Sequence, residues 1–232
     1  MKEIFDTYVE NAFGNREQAK SKFKQFEFNY KKYFPQNKDL RILDIGIGRG
    51  EMMTCMKNWG YKSYSGIDIS SSTVNFCRSI GLNCKLVNNT SDWLNKQPNQ
   101  FELITLIDVL EHIHKVDVID FLKSIHNSLK TKGILIIQVP NLQAPDGQLH
   151  RYNDITHEVG YIEHSLQQVL LVAGFKMIGL YGFETFCSND IKTNIKKILR
   201  YLYWKLIRFN RSINGNLNPK ILHPVFFAVA MR

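Results

Sequence analysis

The stretch LDIGIGRGE, residues Leu43–Glu51, decides the fold class of this chain. It ends a short apolar run that begins at Arg41, and it places Gly46, Gly48 and Gly50 directly before a segment with apolar residues at helical spacing. Glycines at a strand-to-helix turn let a ligand approach the backbone, and the N–H groups of the helix N-terminus then face the ligand's polar end. The stretch therefore predicts a ligand-binding turn in an α/β sheet.

Two carboxylates indicate the chemistry of that ligand. The glycine spacing is G-x-G-x-G, whereas dinucleotide oxidoreductases use G-x-G-x-x-G, and Asp44 stands two residues before Gly46. A carboxylate at that point is unfavourable beside a pyrophosphate but attracts an ammonium or sulfonium group. Asp68 ends the next predicted strand, where a carboxylate can accept hydrogen bonds from both hydroxyls of a ribose. The two residues favour a nucleotide that carries methionine and disfavour the alternative, an NAD(P)-dependent oxidoreductase.

The rest of the chain predicts one α/β domain. A chain of 232 residues is long enough to bury a full core but suits a single domain of this class. Short apolar runs alternate with helical patterns, which is typical of a mostly parallel sheet with helices on both faces. The predicted strands lie near residues 41–45, 63–67, 84–88, 101–107, 133–139, 175–183 and 225–231, and the predicted helices near 51–59, 72–80, 116–129 and 165–173.

The predicted domain, residues 1–232, also includes a segment before the first strand and another before the last strand. Phe23, Phe26, Tyr30 and Phe34 share one helical face, which predicts a helical N-terminal cap. The predicted parts are the cap at 1–38, a cofactor-binding core with an acceptor segment at 40–185, a basic helical insertion at 188–224 and the last strand at 225–231.

Two further segments extend the pattern. FELITLIDVLEH, Phe101–His112, is an apolar strand that ends in Asp108, with Glu111 on the following turn; LKTKGILIIQVPN, Leu129–Asn141, is a glycine turn and a buried strand. With the two carboxylate motifs, in this order, they resemble the class I S-adenosylmethionine-dependent methyltransferase family over roughly residues 40–185. The resemblance implies a Rossmann-like sheet of seven strands whose last strand is antiparallel.

The resemblance also implies a cofactor, S-adenosyl-L-methionine, with S-adenosyl-L-homocysteine as the product. The first carboxylate and the glycines would hold its methionine moiety, and the second carboxylate its ribose. Asn89 and Thr90, after the third strand, would lie near adenine, although the family more often has an acidic residue there. The implied cofactor-binding residues are Asp44, Gly46, Gly48, Asp68, Asn89, Thr90 and Asp108.

The segment after Asn141 is expected to meet the methyl acceptor, because ligands of an open α/β sheet bind beyond the carboxyl ends of its strands. Transfer to an oxygen requires alignment and usually a base that removes the hydroxyl proton. His157, flanked by Asp154 and Glu158, is the first candidate base, and His112 is the second. For each histidine the alternative is a structural hydrogen-bonding role. We expect no bound metal, since His112 and His114 after the fourth strand are two residues apart and do not share a helical face.

A narrower resemblance concerns the acceptor. The D-x-T-H-E segment, Asp154–Glu158, and the helical pattern after it resemble a methyltransferase subgroup of bacterial surface-polysaccharide pathways, including capsule and O-antigen. It implies a small-molecule or glycan-linked acceptor with a sugar or sugar-linked phosphate-type group. The alternatives are a small metabolite, a quinone-like lipid or RNA, or a cofactor-binding module without turnover. No nucleic-acid partner is expected, because the fourth strand ends in IDVLEH and lacks an N-P-P-aromatic motif.

The formal charge of +9 is concentrated in one segment. From Asp190 to Arg211 there are seven Lys or Arg residues and one Asp. An apolar stripe at helical spacing runs through it, formed by Ile191, Ile195, Ile198, Leu202, Leu206 and Phe209. One interpretation is peripheral contact of residues 191–211 with an anionic membrane or with a phosphate-bearing glycan. The other is a lid packed on the domain by its apolar side, with the basic side in solvent.

The remaining features indicate a cytoplasmic protein, with peripheral contact at the inner face of the membrane as an option. The longest apolar runs are too short to span a bilayer, and the N-terminus has no continuous apolar region typical of a secretory signal. The four cysteines show neither a C-x-x-C pair nor zinc-ligand spacing, so we expect reduced thiols.

Overall fold

The computed structural model describes residues 16–216 and 218–232, with side chains from residue 21 onward. The first fifteen residues of the predicted N-terminal cap therefore lie outside the described ranges. In the described ranges no helix is both long enough and apolar enough to cross a membrane.

Seven strands form one sheet, as predicted. The strand order is β3-β2-β1-β4-β5-β7-β6, and β7 runs antiparallel to both of its neighbours while the other pairs are parallel. The strands are β1 Arg41–Ile45, β2 Ser63–Asp68, β3 Cys84–Leu86, β4 Phe101–Ile107, β5 Leu129–Pro140, β6 Lys176–Gly182 and β7 Val225–Met231.

The helices of the described ranges cover both faces of the sheet and extend beyond its last strands. They are α1 Arg16–Tyr30, α2 Glu51–Asn58, α3 Ser71–Ser79, α4 Thr90–Asn95, α5 Val118–Ser128, α6 Gly147–Tyr152, α7 Glu163–Val172 and α8 Ile191–Ile213, with short 3-10 helices at Lys31–Tyr33 and Leu110–His112. Two of them, α4 and α6, were not predicted. Each has six residues, too few for apolar periodicity to show in the sequence.

The alternating direction of side chains along the central strands explains why helices pack on both faces of the sheet. Ile42 of β1 packs on the side that α1 and α2 cover, whereas its neighbour Leu43 packs on the side that α5 and α7 cover. Successive side chains of a strand point to opposite faces, so a strand buried on both faces is apolar throughout. The register then aligns Asp44 with Thr105 of β4 and with Gly66 of β2. Asp44, the first predicted site residue, is therefore buried within the sheet.

The described part of the N-terminal cap packs as its aromatic spacing predicts. Phe26, Tyr30 and Phe34 are buried. The Tyr30 ring lies 5.0 Å from that of Phe227 on β7 and 5.7 Å from that of Phe183. Aromatic pairs at such centroid distances add stability beyond the area that they bury. The cap therefore covers the sheet on the side of the last strand.

Helix α8 contacts the domain by the side opposite its apolar stripe. Its apolar stripe is exposed, and the arginines on its other side contact the domain: Arg200 pairs with Glu184, and Arg211 Nη2 donates to the Gln143 carbonyl at 2.7 Å. The interpretation as a lid with an apolar underside and a solvated basic face is therefore wrong for the described residues. The arginines hold the helix by polar contacts instead.

Gly66 of β2 packs closely against the glycine turn and against α2. A Cβ atom there would lie 2.4 Å from Ile47 Cγ2 and 2.5 Å from Met53 Sδ. We predict that Gly66→Ala lowers the free energy of unfolding by about 1–3 kcal/mol, since overpacking forces neighbouring groups to move. Urea unfolding followed by circular dichroism measures the change. Ser63→Ala, at an exposed position of the same strand, is the control and should change it by less than about 0.5 kcal/mol. Equal midpoints for Gly66→Ala and the parent would contradict the prediction.

Candidate active site

The carboxyl ends of β1, β2 and β4 open into a cavity of about 1020 Å³. Its walls include the turn after β1, the end of β2, the residues at the start of α4, the turn after β4 and part of the acceptor segment. Ligand pockets are typically about 300–1,000 Å³. The cavity is therefore large enough for two small molecules side by side, one on the glycine turn and one against the acceptor segment.

Asp44 is a deeply buried carboxylate of the cavity wall. Its side chain is 2% exposed, and Oδ1 accepts a hydrogen bond from Thr105 Oγ1 at 2.6 Å. Burial raises the pKa of Asp44 to about 7, although the Thr105 hydrogen bond lowers it, and the nearby negative charges of Glu51 and Asp68 raise it further. A ligand that brings positive charge would relieve this penalty. The site is therefore suited to a cationic ligand group.

The glycine turn follows Asp44 in conformations that favour glycine. Gly46, Gly48 and Gly50 have φ angles of +73°, +50° and +74°. A Cβ atom at Gly46 would also lie 2.3 Å from Val109 Cγ2, so two turns of the cavity wall meet there without space for a side chain. Gly50 is the N-cap of α2, and the first two residues of that helix, Glu51 and Met52, line the cavity. The predicted role of the glycines as a close-approach turn agrees with this geometry.

Asp68 lies at the end of β2, beside the glycine turn. Its Oδ1 accepts a hydrogen bond from the Ser70 N–H at 2.8 Å. Burial raises the pKa of Asp68, while hydrogen bonds from the backbone N–H groups of Ser70, Ile47 and Gly48 oppose that rise. Asp68 lines the cavity together with Asp44. The structure therefore brings together the two carboxylates that define the predicted cofactor site.

The two residues predicted near adenine have a local structural role as well. Asn89 caps α4: its Oδ1 accepts from the Asp92 N–H at 3.1 Å, and its Nδ2 donates to Asp92 Oδ2 at 2.7 Å. Asn89 and Thr90 also line the cavity, next to Asn88 and Ser91. An adenine ring in this part of the cavity would therefore lie at the N-terminus of α4, whose cap residue Asn89 already forms two hydrogen bonds.

Asp108 connects the cavity to the N-terminal cap. It directly follows β4 with a φ of +54°, an uncommon conformation for a residue other than glycine, and it is exposed where it lines the cavity. Gln138 Nε2 donates to Asp108 Oδ1 at 2.8 Å, and Tyr30 Oη donates to Gln138 Oε1. Burial raises the pKa of Asp108. A hydrogen-bond chain from α1 therefore orients this carboxylate, which no local sequence pattern reveals.

Both candidate bases lie in the cavity wall and face each other. The rings of His112 and His157 are 4.7 Å apart between centroids. His157 Nδ1 lies 2.6 Å from the His150 carbonyl, which can only accept, so Nδ1 carries a proton and Nε2 holds the lone pair of the neutral ring. Burial lowers the pKa of His112 to about 4, and the neighbouring His157 lowers it too. His112 is therefore neutral at physiological pH.

The acids beside these histidines have their own contacts. Asp154 accepts from Thr156 Oγ1 at 2.6 Å, and Thr156 Oγ1 lies 2.8 Å from His112 Nδ1. Glu158 pairs with His114 at 3.2 Å instead of His157. The role of His157 as the base, with these two acids beside it in the sequence, stays a prediction. Thr156, which the sequence analysis missed, links Asp154 to His112.

Glu111 was treated in the sequence only as part of a turn, but it is the most unusual acid of the cavity. It is 2% exposed, and neither carboxylate oxygen has a hydrogen-bond partner from another described residue. Burial raises the pKa of Glu111 well above its usual range, and Asp108 raises it further. Potential ligand atoms of Glu111, His112 and His157 lie within 4.8 Å of one another, so this set could hold a divalent cation. The absence of a bound metal stays a prediction.

Comparison with known proteins defines the family. The methyltransferase domain family matches residues 15–180, more than half of the chain. Among curated proteins, a ubiquinone biosynthesis O-methyltransferase of Chelativorans sp. is 29% identical over 106 residues, which is 44% of this chain and 41% of that enzyme. The chain thus aligns with less than half the length of this relative.

Solved structures share the fold. A SAM-dependent methyltransferase from Archaeoglobus fulgidus has a TM-score of 0.71 at 22% identity, over 99% of this chain and 98% of that one. A Haemonchus contortus phosphoethanolamine N-methyltransferase, in complex with phosphomonomethylethanolamine and S-adenosylhomocysteine, has a TM-score of 0.61 at 14% identity, over 98% of this chain and 60% of that one. From the family match and the antiparallel last strand of its sheet, this chain belongs to the methyltransferase domain family and has the fold of the SAM-dependent methyltransferases.

Proposed function

We propose that this protein is an S-adenosylmethionine-dependent enzyme that methylates a hydroxyl group of a sugar or sugar-linked phosphate-type acceptor, in the synthesis of a bacterial surface polysaccharide such as capsule. The observation that carries the proposal is one cavity lined both by two carboxylates, the buried Asp44 and the half-buried Asp68, and by a pair of histidines, His112 and His157. The carboxylate side suits the cofactor. The histidine side suits an acceptor that must lose a proton.

The residues of the first half of the cavity fit the cofactor. Asp44 would attract its ammonium group, and Asp68 would accept from the ribose hydroxyls once these replace the backbone N–H groups that it binds now. The residues from Asn88 to Ser91 would line the adenine. Bound S-adenosylmethionine supplies an electrophilic methyl group on a positively charged sulfur. The raised pKa of Asp44, which reflects the burial of this carboxylate, supports this assignment, because a cationic ligand would stabilise its charged form.

The second half of the cavity can accept the proton that an attacking hydroxyl loses. His157 is the better base, because the His150 carbonyl fixes its Nδ1–H and leaves Nε2 as the accepting atom. His112 is held through Thr156 and is a weaker base, since burial lowers its pKa to about 4. We assign His112 and Asp154 to the positioning of the acceptor side of the cavity, and His157 to proton removal.

The polysaccharide acceptor rests on the D-x-T-H-E resemblance at Asp154–Glu158 and on the charge of +9, which suits a phosphate-bearing acceptor. A quinone-like lipid is the second candidate, because the curated relatives are ubiquinone biosynthesis O-methyltransferases. Both acceptors present a hydroxyl to the same base. Transfer of radiolabelled methyl groups to capsule-type sugar nucleotides and to polyprenylated catechols, tested side by side, distinguishes them.

Calorimetric titration with S-adenosylmethionine, S-adenosylhomocysteine and NADH tests the cofactor. We expect micromolar binding of the first two and none of NADH; binding of NADH alone would refute the proposal. Asp68→Ala should weaken cofactor binding at least about tenfold, because it removes charge-assisted hydrogen bonds to the ribose. Ser72→Ala, at the start of α3, is the control for effects on local structure and should leave binding within about twofold.

His157→Ala should separate turnover from binding. We expect cofactor affinity within about twofold of the parent and a kcat lower by about 10²- to 10⁴-fold, the usual contribution of a general base. His164→Ala, at an exposed position on α7, is the matched control and should retain full activity. A kcat for His157→Ala close to that of the parent would exclude His157 as the base.

Cofactor affinity should depend on pH through Asp44. Its folded-state pKa is about 7 against an ordinary value of 3.8, so below pH 7 the carboxyl is protonated and must release that proton to attract a cation. We expect the association constant to rise by up to about tenfold per unit between pH 5.5 and 7 and then to level off. Asp44→Asn should bind more weakly, with that rise removed. The same steep rise in Asp44→Asn would assign the pH dependence to another group.

A further inference from the structure

Helix α8 is fixed to the domain by its arginines. Arg200 pairs with Glu184 and lies 4.7 Å from the ring centre of Trp204, which in turn packs against His223. Arg208 Nη2 donates to the Lys220 carbonyl at 2.9 Å. These contacts, together with that of Arg211 described above, occupy the side of the helix that faces the domain. The opposite side is consequently directed away from the protein.

The outward side is apolar along the whole helix. The six residues of the stripe predicted from the sequence are between 51% and 80% exposed, and no residue of α8 is buried. They are Ile191, Ile195, Ile198, Leu202, Leu206 and Phe209. A continuous apolar surface of this kind is unusual on a soluble monomer and marks an interaction site. In the ranges that the structure describes, the stripe has no protein cover.

The residues beside the stripe are cationic and aromatic. At 100° per residue, Lys192 and Lys205 project on opposite edges of the stripe, and Tyr201 and Tyr203 lie next to them. Lys205 Nζ is 4.9 Å from the ring centre of Tyr201. Lysines on both edges can bury their alkyl chains along an apolar surface while their ammonium groups reach anions, and tyrosines favour the boundary between water and lipid. The helix Ile191–Ile213 contains no acidic residue.

We propose that α8 docks in the plane of an anionic phospholipid membrane, with its apolar stripe among the acyl chains and Lys192 and Lys205 at the headgroup phosphates. A helix of 23 residues would lie about 34 Å along the surface. This interaction surface is separate from the catalytic cavity, and the proposal does not depend on the identity of the acceptor. Membrane docking would place the enzyme where lipid-linked acceptors are found.

The charges and the orientation favour a membrane over other partners. Pairing of two α8 helices through the stripe would bring lysines from both copies together without an acidic residue on either helix to offset them. A nucleic acid would be expected to contact outward arginines, but here Arg200, Arg208 and Arg211 face the domain. An anionic lipid surface satisfies the apolar stripe and the flanking lysines at the same time.

Co-sedimentation of the full chain with vesicles tests the proposal. We expect binding to vesicles of phosphatidylglycerol and phosphatidylcholine, at least tenfold weaker binding to phosphatidylcholine alone, and loss of affinity as salt increases. Lys192→Gln combined with Lys205→Gln should reduce binding to the anionic vesicles by about 30-fold, on the basis of about 1 kcal/mol per cation. Equal binding to both kinds of vesicle would overturn the assignment to anionic lipid.

The apolar stripe is tested by a matched pair of double variants. Leu202→Gln with Leu206→Gln changes two side chains that are 54% and 63% exposed, and we expect at least tenfold weaker vesicle binding. Leu171→Gln with Val172→Gln changes two side chains on α7 that are 55% and 59% exposed, and binding should be unchanged. Both pairs are at the surface, so circular dichroism and cofactor titration should match the parent.

Three results would overturn the proposal. The first is no binding of the parent to anionic vesicles at low salt. The second is equal loss of binding in the two double variants, which would indicate nonspecific adhesion. The third is a dimer of the parent, measured by sedimentation velocity, that Leu202→Gln with Leu206→Gln dissociates while vesicle binding persists; the stripe would then be an interface between two copies. None of these results bears on cofactor binding, so the failure of this proposal and that of the proposed function can be told apart.

Discussion

The buried carboxylate of Asp44 is the constraint on which the rest of this site depends. The parallel pairing of β1 with β4 sets Thr105 beside it, and the Thr105 hydroxyl satisfies one carboxylate oxygen. Burial makes the charged form costly, as the raised pKa of Asp44 shows. The glycine turn that follows leaves the cavity side of this carboxylate accessible to a ligand. A positively charged ligand is the natural complement to this arrangement, and the family match agrees with it.

The acceptor side of the cavity is built on a different principle. There the His150 carbonyl contacts Nδ1 of His157, and the Thr156 hydroxyl contacts Nδ1 of His112, with Asp154 behind that hydroxyl. Glu111 adds a buried carboxylate that has no hydrogen-bond partner among the described side chains, which is costly unless it stays protonated or meets a cation. One half of the cavity thus suits a positively charged ligand, and the other half can accept a proton. Methyl transfer from a sulfonium to a hydroxyl requires both properties.

Helix α8 adds a third region that the methyltransferase fold itself does not require. It lies between β6 and β7, in the connection that leads to the antiparallel strand, so its attachment does not disturb the pairing of the sheet. Its arginines bind carbonyls and Glu184, which leaves the apolar stripe outward. The proposed membrane contact rests on this exposed stripe.

The sequence by itself determined the sheet and the presence of an amphipathic basic helix, and it predicted the carboxylates and glycines that line one part of the cavity. Apolar periodicity and the spacing of Asp44, Gly46, Gly48 and Asp68 are local properties, and their physical causes act within a few residues. Only the tertiary structure decided the rest. Tyr30, Gln138 and Asp108 meet across more than a hundred residues of sequence, and Thr156 links Asp154 to His112, which is 44 residues away from Thr156 in the sequence. The sequence also showed that α8 has two faces, but which face meets the domain depends on contacts with Glu184, Lys220 and Gln143, because periodicity gives the faces of a helix and not its orientation.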